Sequence, residues 1–192
     1  MTKIIFAALA GSTFLVPAAA SAQALAAPVV AIVDIQRAQT QCNACKTALT
    51  QLESQLAGLR ALQASLEAPL RTEAAALQTA GSALNGRPAD AALQARATAF
   101  QKKQADAQTQ LAAREAGFQR NRAHVLQQIN TKLEPAVASV FTRRGASVML
   151  DASQVIRSAP GLDVTTDVIA ALNTGLTTIS TTAPAQAAPT RR

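Results

Sequence analysis

Leucine recurs in a seven-residue register between residues 49 and 84, and this pattern limits what the chain can fold into. One position of the repeat contains Leu49, Leu56, Leu70, Leu77 and Leu84, and the intermediate position contains Leu52, Leu59 and Leu66. Apolar residues at both positions of a heptad are typical of a helix that packs lengthwise against another helix. The repeat therefore predicts one long helix with a helical partner.

The partner helix is predicted to follow directly in the chain. Asn85 and Gly86 form a turn signal, and Pro88 suits the first position of a new helix. We expect an antiparallel coiled-coil hairpin over residues 40–133 with its tip at 82–88. Pro69 should bend the outgoing helix without ending it, whereas Pro135 should separate the return helix from a further helical piece.

Two short β-branched runs, residues 29–33 and 146–151, bracket the hairpin and are typical of buried strands. Arms of equal length return the chain to its starting point, so the two strands can meet in one small sheet. We expect a discontinuous β body of residues 23–39 and 134–180, with a third short strand at residues 155–156. Its core or subunit contacts should involve Val30, Ile32, Val148 and Leu150.

The two ends of the chain have other predicted roles. Lys3, an apolar run and a closing Ala-Ser-Ala sequence indicate a secretory signal peptide over residues 1–22, so the mature protein is expected to be exported. Near the other end, Thr165 is predicted to cap a terminal helix whose apolar stripe covers the sheet. Residues 181–192 are rich in Thr, Ala and Pro and are predicted to be disordered.

The charge of the chain is unevenly distributed. The formal net charge is +7, yet residues 40–84 contain three basic and three acidic residues while residues 89–133 contain seven and three. A cationic return arm attracts negatively charged partners, although on charge alone a solvated helix surface is the preferred explanation. Nucleic-acid binding is not expected, because the basic residues are dispersed and aromatic residues amount to 3%.

A CxxC sequence, Cys42 to Cys45, is the strongest indication of chemistry. Its position after a strand and near a helix start resembles a thioredoxin-like redox site. Both cysteines also continue the heptad phase of Leu49 and Leu52, so packing explains them as well, and the pair is close enough to form a disulfide. No motif for ATP, for a metal ion or for another cofactor accompanies them, and no catalytic residues are predicted.

The ends of the mature chain carry a family resemblance. Residues 30–34 (Val-Ala-Ile-Val-Asp), residues 147–155 and residues 162–168 resemble the Skp/OmpH family of periplasmic chaperones. The resemblance implies a mainly helical α+β fold and a homotrimer whose strands form a barrel-like body with projecting hairpins. It further implies ATP-independent holding of unfolded outer-membrane proteins in the periplasm.

The surface that would contact a client is predicted to be cationic. Candidate client-facing cations are Arg87, Arg96, Lys102, Lys103 and Arg114. An anionic membrane surface or lipopolysaccharide is a further expected partner from the family, but no residue cluster here matches such a site. The alternatives are an exported coiled-coil adaptor or spacer and, less favoured, a CxxC thiol-disulfide protein.

Overall fold

The computed structural model describes residues 27–185, most of which are helical. The elements in chain order are β1 (Val30–Val33), α1 (Ile35–Gln41), α2 (Asn43–Ala83), α3 (Ala91–Arg143), β2 (Val148–Asp151) and α4 (Thr165–Gly175). Single 3₁₀ turns at Ala152–Gln154 and Pro160–Leu162 lie between β2 and α4. The predicted signal peptide and the end of the predicted tail, residues 186–192, lie outside the described residues.

The two predicted strands form one parallel pair, although the three helices between them separate them widely in sequence. Val30 is in register with Val148, and Ile32 is in register with Leu150. The predicted third strand at residues 155–156 is wrong. The Asp151 carboxylate accepts a hydrogen bond from the Ser153 backbone N–H at 2.7 Å, and this contact turns the chain into a 3₁₀ helix directly after β2.

The free edge of β1 is bridged by a later segment. Ile32 forms an isolated parallel bridge with Asp163, and the Val164 backbone N–H donates to the Ile32 carbonyl at 2.8 Å. The segment that leads into α4 therefore takes the place beside β1 that a third strand would occupy.

One apolar cluster joins β1, α1, the start of α2, the end of α3 and α4. Its fully buried members include Val125, Ile129, Val140, Val168 and Leu172. Burial of these branched side chains removes apolar surface from water and fixes the helices around β1. Beyond this base no side chain is buried: every residue from 53 to 124 is exposed or only partly covered.

Helix α2 continues through Pro69 as predicted, and α3 also continues through Pro135. The expected helix boundary at Pro135 is therefore wrong. Leu133, Ala136 and Val140, on both sides of the proline, are all buried in the same cluster. Their packing outweighs the backbone hydrogen bond that the proline removes.

A tight turn separates α2 from α3 at the predicted tip. Asn85 and Gly86 both have positive φ, 48° and 84°, which is the left-handed conformation that Asn and Gly tolerate. Helix α3 begins later than expected, at Ala91. Asp90 is its N-cap and accepts a hydrogen bond from the Leu93 N–H at 2.8 Å, so Pro88 precedes the helix instead of starting it.

Helix α4 packs its predicted apolar stripe into the base, with Val168, Leu172 and Leu176 buried. Thr165 is not its N-cap, because it is the first helical residue and its hydroxyl accepts a hydrogen bond from the Asp34 backbone N–H. The predicted disorder is wrong where the tail begins. The Thr181 carbonyl accepts a hydrogen bond from the Gln55 side chain on α2, and the Ala183 N–H donates one to the Asn121 side chain on α3.

Candidate functional site

The long helix pair, α2 with α3, leaves a continuous apolar seam only partly covered. Gln55 contacts Asn121 and, further along α2, Glu73 contacts Arg96, so the two helices lie side by side along their length. The heptad leucines between them, together with Leu62, are only half-buried: Leu56, Leu59, Leu66, Leu70 and Leu77. A helix pair without a third layer cannot cover both sides of its own apolar seam. The seam therefore stays available to a partner.

Two sections of this seam widen into open grooves. The larger, of about 650 Å³, is lined by Gln55, Gly58, Leu59, Leu62, Ala113, Arg114, Gly117, Phe118, Asn121 and Thr182. The second, of about 480 Å³, is lined by Leu66, Pro69, Leu70, Thr72, Glu73, Lys103, Asp106 and Ala107. Both combine leucine side chains with polar groups, a lining suited to segments of mixed polarity.

Two of the five predicted cations are neutralised by the chain itself. The Arg96 guanidinium forms two hydrogen bonds with the Glu73 carboxylate, at 2.6 and 3.0 Å. Lys102 pairs with Asp106 one helical turn away, at 3.0 Å. The hydrogen bond from Arg96 lowers the pKa of Glu73 below its ordinary value, so this pair remains charged in mildly acidic solution.

Arg87, Lys103 and Arg114 form no ion pair within residues 27–185. The Arg87 Nε donates to the Leu84 carbonyl in the turn at 3.2 Å. Lys103 and Arg114 each lie at one of the two grooves. The structure thus does not gather the five cations into one site, since they extend along about 40 Å of α3 and the turn before it. It distributes positive charge along the apolar seam.

The predicted body residues divide between two environments. Val30 is half-buried and Ile32 is buried, but Val148 and Leu150 are 42% and 39% exposed. Side chains alternate along a strand, and Ala31 and Val33 take the face toward the core. Intrachain packing is therefore wrong as an explanation for Val148 and Leu150. They form an apolar sheet face that residues 27–185 leave uncovered.

The CxxC sequence lies at the break between α1 and α2. Cys42 is the N-cap of α2, its Sγ accepts a hydrogen bond from the Cys45 N–H, and a disulfide joins the two cysteines. Both are fully buried in the core cluster. A redox-active cysteine needs solvent access for attack by a partner thiol, so this arrangement favours a structural role.

Within 27–185, no group of three or more His, Cys, Asp or Glu side chains is placed to bind a metal ion. None of the helices in this part of the chain is long and apolar enough to span a membrane.

Sequence reasoning missed a set of side-chain amides near the base of the helix pair. Gln51, Gln55, Asn121 and Gln128 bind the segment that follows α4. The one available signal is that Gln55 and Asn121 interrupt otherwise apolar inward positions. A polar residue at such a position does not by itself reveal its binding partner, so the segment after α4 could not be identified from the sequence.

A small parallel sheet and helical base with a long, thin helix pair define the class of this protein: an elongated scaffold with an apolar, cationic surface. A family described as outer membrane protein (OmpH-like) matches residues 29–172, and the chain belongs to this family. Membership supports a chaperone role.

The fold is also found in a solved structure. A crystal structure from Caulobacter crescentus CB15, assigned as an outer membrane chaperone (OmpH-like), has a TM-score of 0.66 and 25% sequence identity. The alignment covers 82% of this chain and 90% of that chain. A search of curated proteins found no match.

Proposed function

We propose that this protein is an ATP-independent holdase of the periplasm that binds unfolded outer-membrane β-barrel proteins and prevents their aggregation. The observation that carries this proposal is the helix pair from 53 to 124, in which no residue is buried and the leucine seam is only partly covered. Such a surface gives many weak apolar contacts. Weak contacts allow capture and release without nucleotide hydrolysis or a cofactor.

The positive charge of the same surface supports this class of client. Unfolded β-barrel precursors expose apolar strands that associate in water, and a cationic arm attracts those with acidic character. Lys103 and Arg114 are the strongest candidates for client contact, because each lies at a groove and outside the ion pairs of the described residues.

The oligomer belongs to the same proposal. The exposed apolar face around Val148 and Leu150 fits contact with further copies of the chain. We propose a homotrimer in which three small sheets form a shared barrel-like body. From each subunit the parts of α2 and α3 between residues 53 and 124 project as an antiparallel coiled-coil hairpin. Residues 1–22 are the proposed signal peptide, removed on export.

Two measurements on the mature protein test this function. Light scattering gives the oligomeric state, and turbidity reports whether the protein keeps a denatured outer-membrane β-barrel protein soluble without ATP. We expect a trimer that suppresses aggregation. Leu150→Lys should dissociate it, whereas Gln154→Lys, on an exposed residue, should not. A monomer that leaves aggregation unchanged would overturn the proposal.

A further inference from the structure

The segment that follows α4, here called the strap (residues 176–183), contacts both long helices although it forms no helix or strand. Leu176 is buried and Ile179 packs against the core, so two apolar side chains attach its start to the base. From there the strap extends along the helix pair away from the base. It lies beyond residues 29–172, which match the family.

The helix pair recognises the backbone of the strap. The Gln128 side chain accepts a hydrogen bond from the Ser180 N–H at 3.0 Å and donates one to the Ser180 carbonyl at 2.8 Å. Gln55 donates to the Thr181 carbonyl at 3.1 Å, and Asn121 accepts from the Ala183 N–H at 2.9 Å. A side-chain amide offers both a donor and an acceptor, so it can pair with any peptide group whatever the residue.

The amides are also fixed in position by one another. Asn121 donates to the Gln55 side chain across the two helices at 2.9 Å. Of the strap's hydrogen bonds to the long helices, only that between the Thr181 hydroxyl and Gln51 uses a strap side chain. The site therefore selects an unfolded main chain over a particular sequence.

The larger groove begins where the strap stops. Thr182 lines one end of this 650 Å³ space, which continues outward past Gly58, Leu59 and Phe118. A Cβ atom built at Gly58 would meet nothing within 4 Å, so close helix packing does not explain this glycine. The space beside it is open and large enough for several residues of an extended chain.

We propose that the strap is an internal competitor, occupying the inner part of a groove whose full length binds an unfolded segment of client polypeptide. Client first contacts the open outer part and then displaces residues 180–183 from the amides. This inference rests on the proposed holdase function and identifies where on the helix pair the client binds.

The test uses the mature full chain and a denatured outer-membrane β-barrel protein as client. Ser180→Pro with Ala183→Pro removes two strap N–H donors without changing the groove walls. Because the strap lowers the fraction of open groove, this variant should bind client with a several-fold lower Kd. The matched control is Ala185→Pro, an exposed residue beyond the strap, and its Kd should equal that of the unchanged protein.

A second pair of variants tests the outer groove. Gly58→Leu fills it and should raise the Kd several-fold, whereas Gly81→Leu, on a glycine of the same helix with equally open surroundings, should not. Amide hydrogen exchange in residues 180–183 should increase when client is added to the unchanged protein.

The outcomes distinguish a failure of the strap inference from a failure of the proposed holdase function. Equal client affinity in the strap variant and its control, or in the two glycine variants, would overturn the inference while leaving the holdase intact. Unchanged exchange in the strap at saturating client would also overturn it. Failure of every variant, and of the unchanged protein, to bind client would instead overturn the proposed function.

Discussion

The Asp34 backbone N–H donates a hydrogen bond to the Thr165 hydroxyl at 2.9 Å, across 131 residues of sequence. Asp34 caps α1 by accepting from the Arg37 N–H, and Thr165 begins α4. This single contact therefore joins the starts of two helices beside the end of β1. Thr165 is fully buried, so no water can replace the bond if the hydroxyl is lost.

Thr165→Val should lower the free energy of unfolding by about 1 to 3 kcal/mol, because it leaves the Asp34 N–H without an acceptor. Thr165→Ser retains the hydroxyl and should cost less. Urea unfolding followed by circular dichroism, at one protein concentration, measures both. An equal loss for Val and Ser would show that this hydrogen bond is not what stabilises the base.

The environment of Asp163 makes the free energy of unfolding depend on pH. Hydrogen bonds from Thr165, joined by the ion pair with Arg37, lower the pKa of Asp163 below its ordinary value of 3.8. A lowered folded-state pKa means that the stabilisation is complete above 3.8 and is lost as the pH falls through the folded-state value.

Asp163→Asn should therefore be destabilising at neutral pH, by about 1 kcal/mol or less since the ion pair is partly exposed. The difference from the unchanged protein should shrink below pH 3.8. Urea unfolding across this range tests the prediction, with Asp106→Asn on the exposed helix pair as the control. A difference that stays constant with pH would contradict it.

Ile129 is, with Leu172, one of the two largest fully buried side chains in the described residues, and it packs where α3 meets the base. Ile129→Ala should destabilise the protein by about 2 to 5 kcal/mol, because it removes buried methyl groups and leaves a cavity. Leu126→Ala, on the same helix but 40% exposed, should cost much less. Thermal unfolding of the two variants measures the difference. Similar losses of stability would show that Ile129 does not contribute to the core as its burial indicates.

The Cys42–Cys45 disulfide should be structural. Replacing both residues with alanine should lower the free energy of unfolding by about 2 kcal/mol, the entropic effect of a loop this short. Because both cysteines are fully buried, the native protein should not reduce a disulfide substrate. Turnover in an insulin-reduction assay that disappears in Cys42→Ser with Cys45→Ser would restore the redox alternative.

The positions of the main helices, the turn and the strands along the chain were largely predictable from the sequence. The leucine register located α2, Asn85 and Gly86 located the turn, and the two β-branched runs located β1 and β2. These features depend on local periodicity and turn chemistry, which neighbouring residues set by themselves. The candidate site was less predictable, since Arg96 and Lys102 were expected to face a client and are paired with Glu73 and Asp106.

The sequence by itself determined that this chain forms two long helices, α2 and α3, with most of the positive charge on the second, because heptad spacing and composition act locally. Only the tertiary structure decided which residues are covered. It exposed Val148 and Leu150, buried Cys42 and Cys45, and placed the strap against Gln55 and Asn121. Burial and amide pairing depend on segments that meet across more than a hundred residues, and no local pattern encodes that meeting.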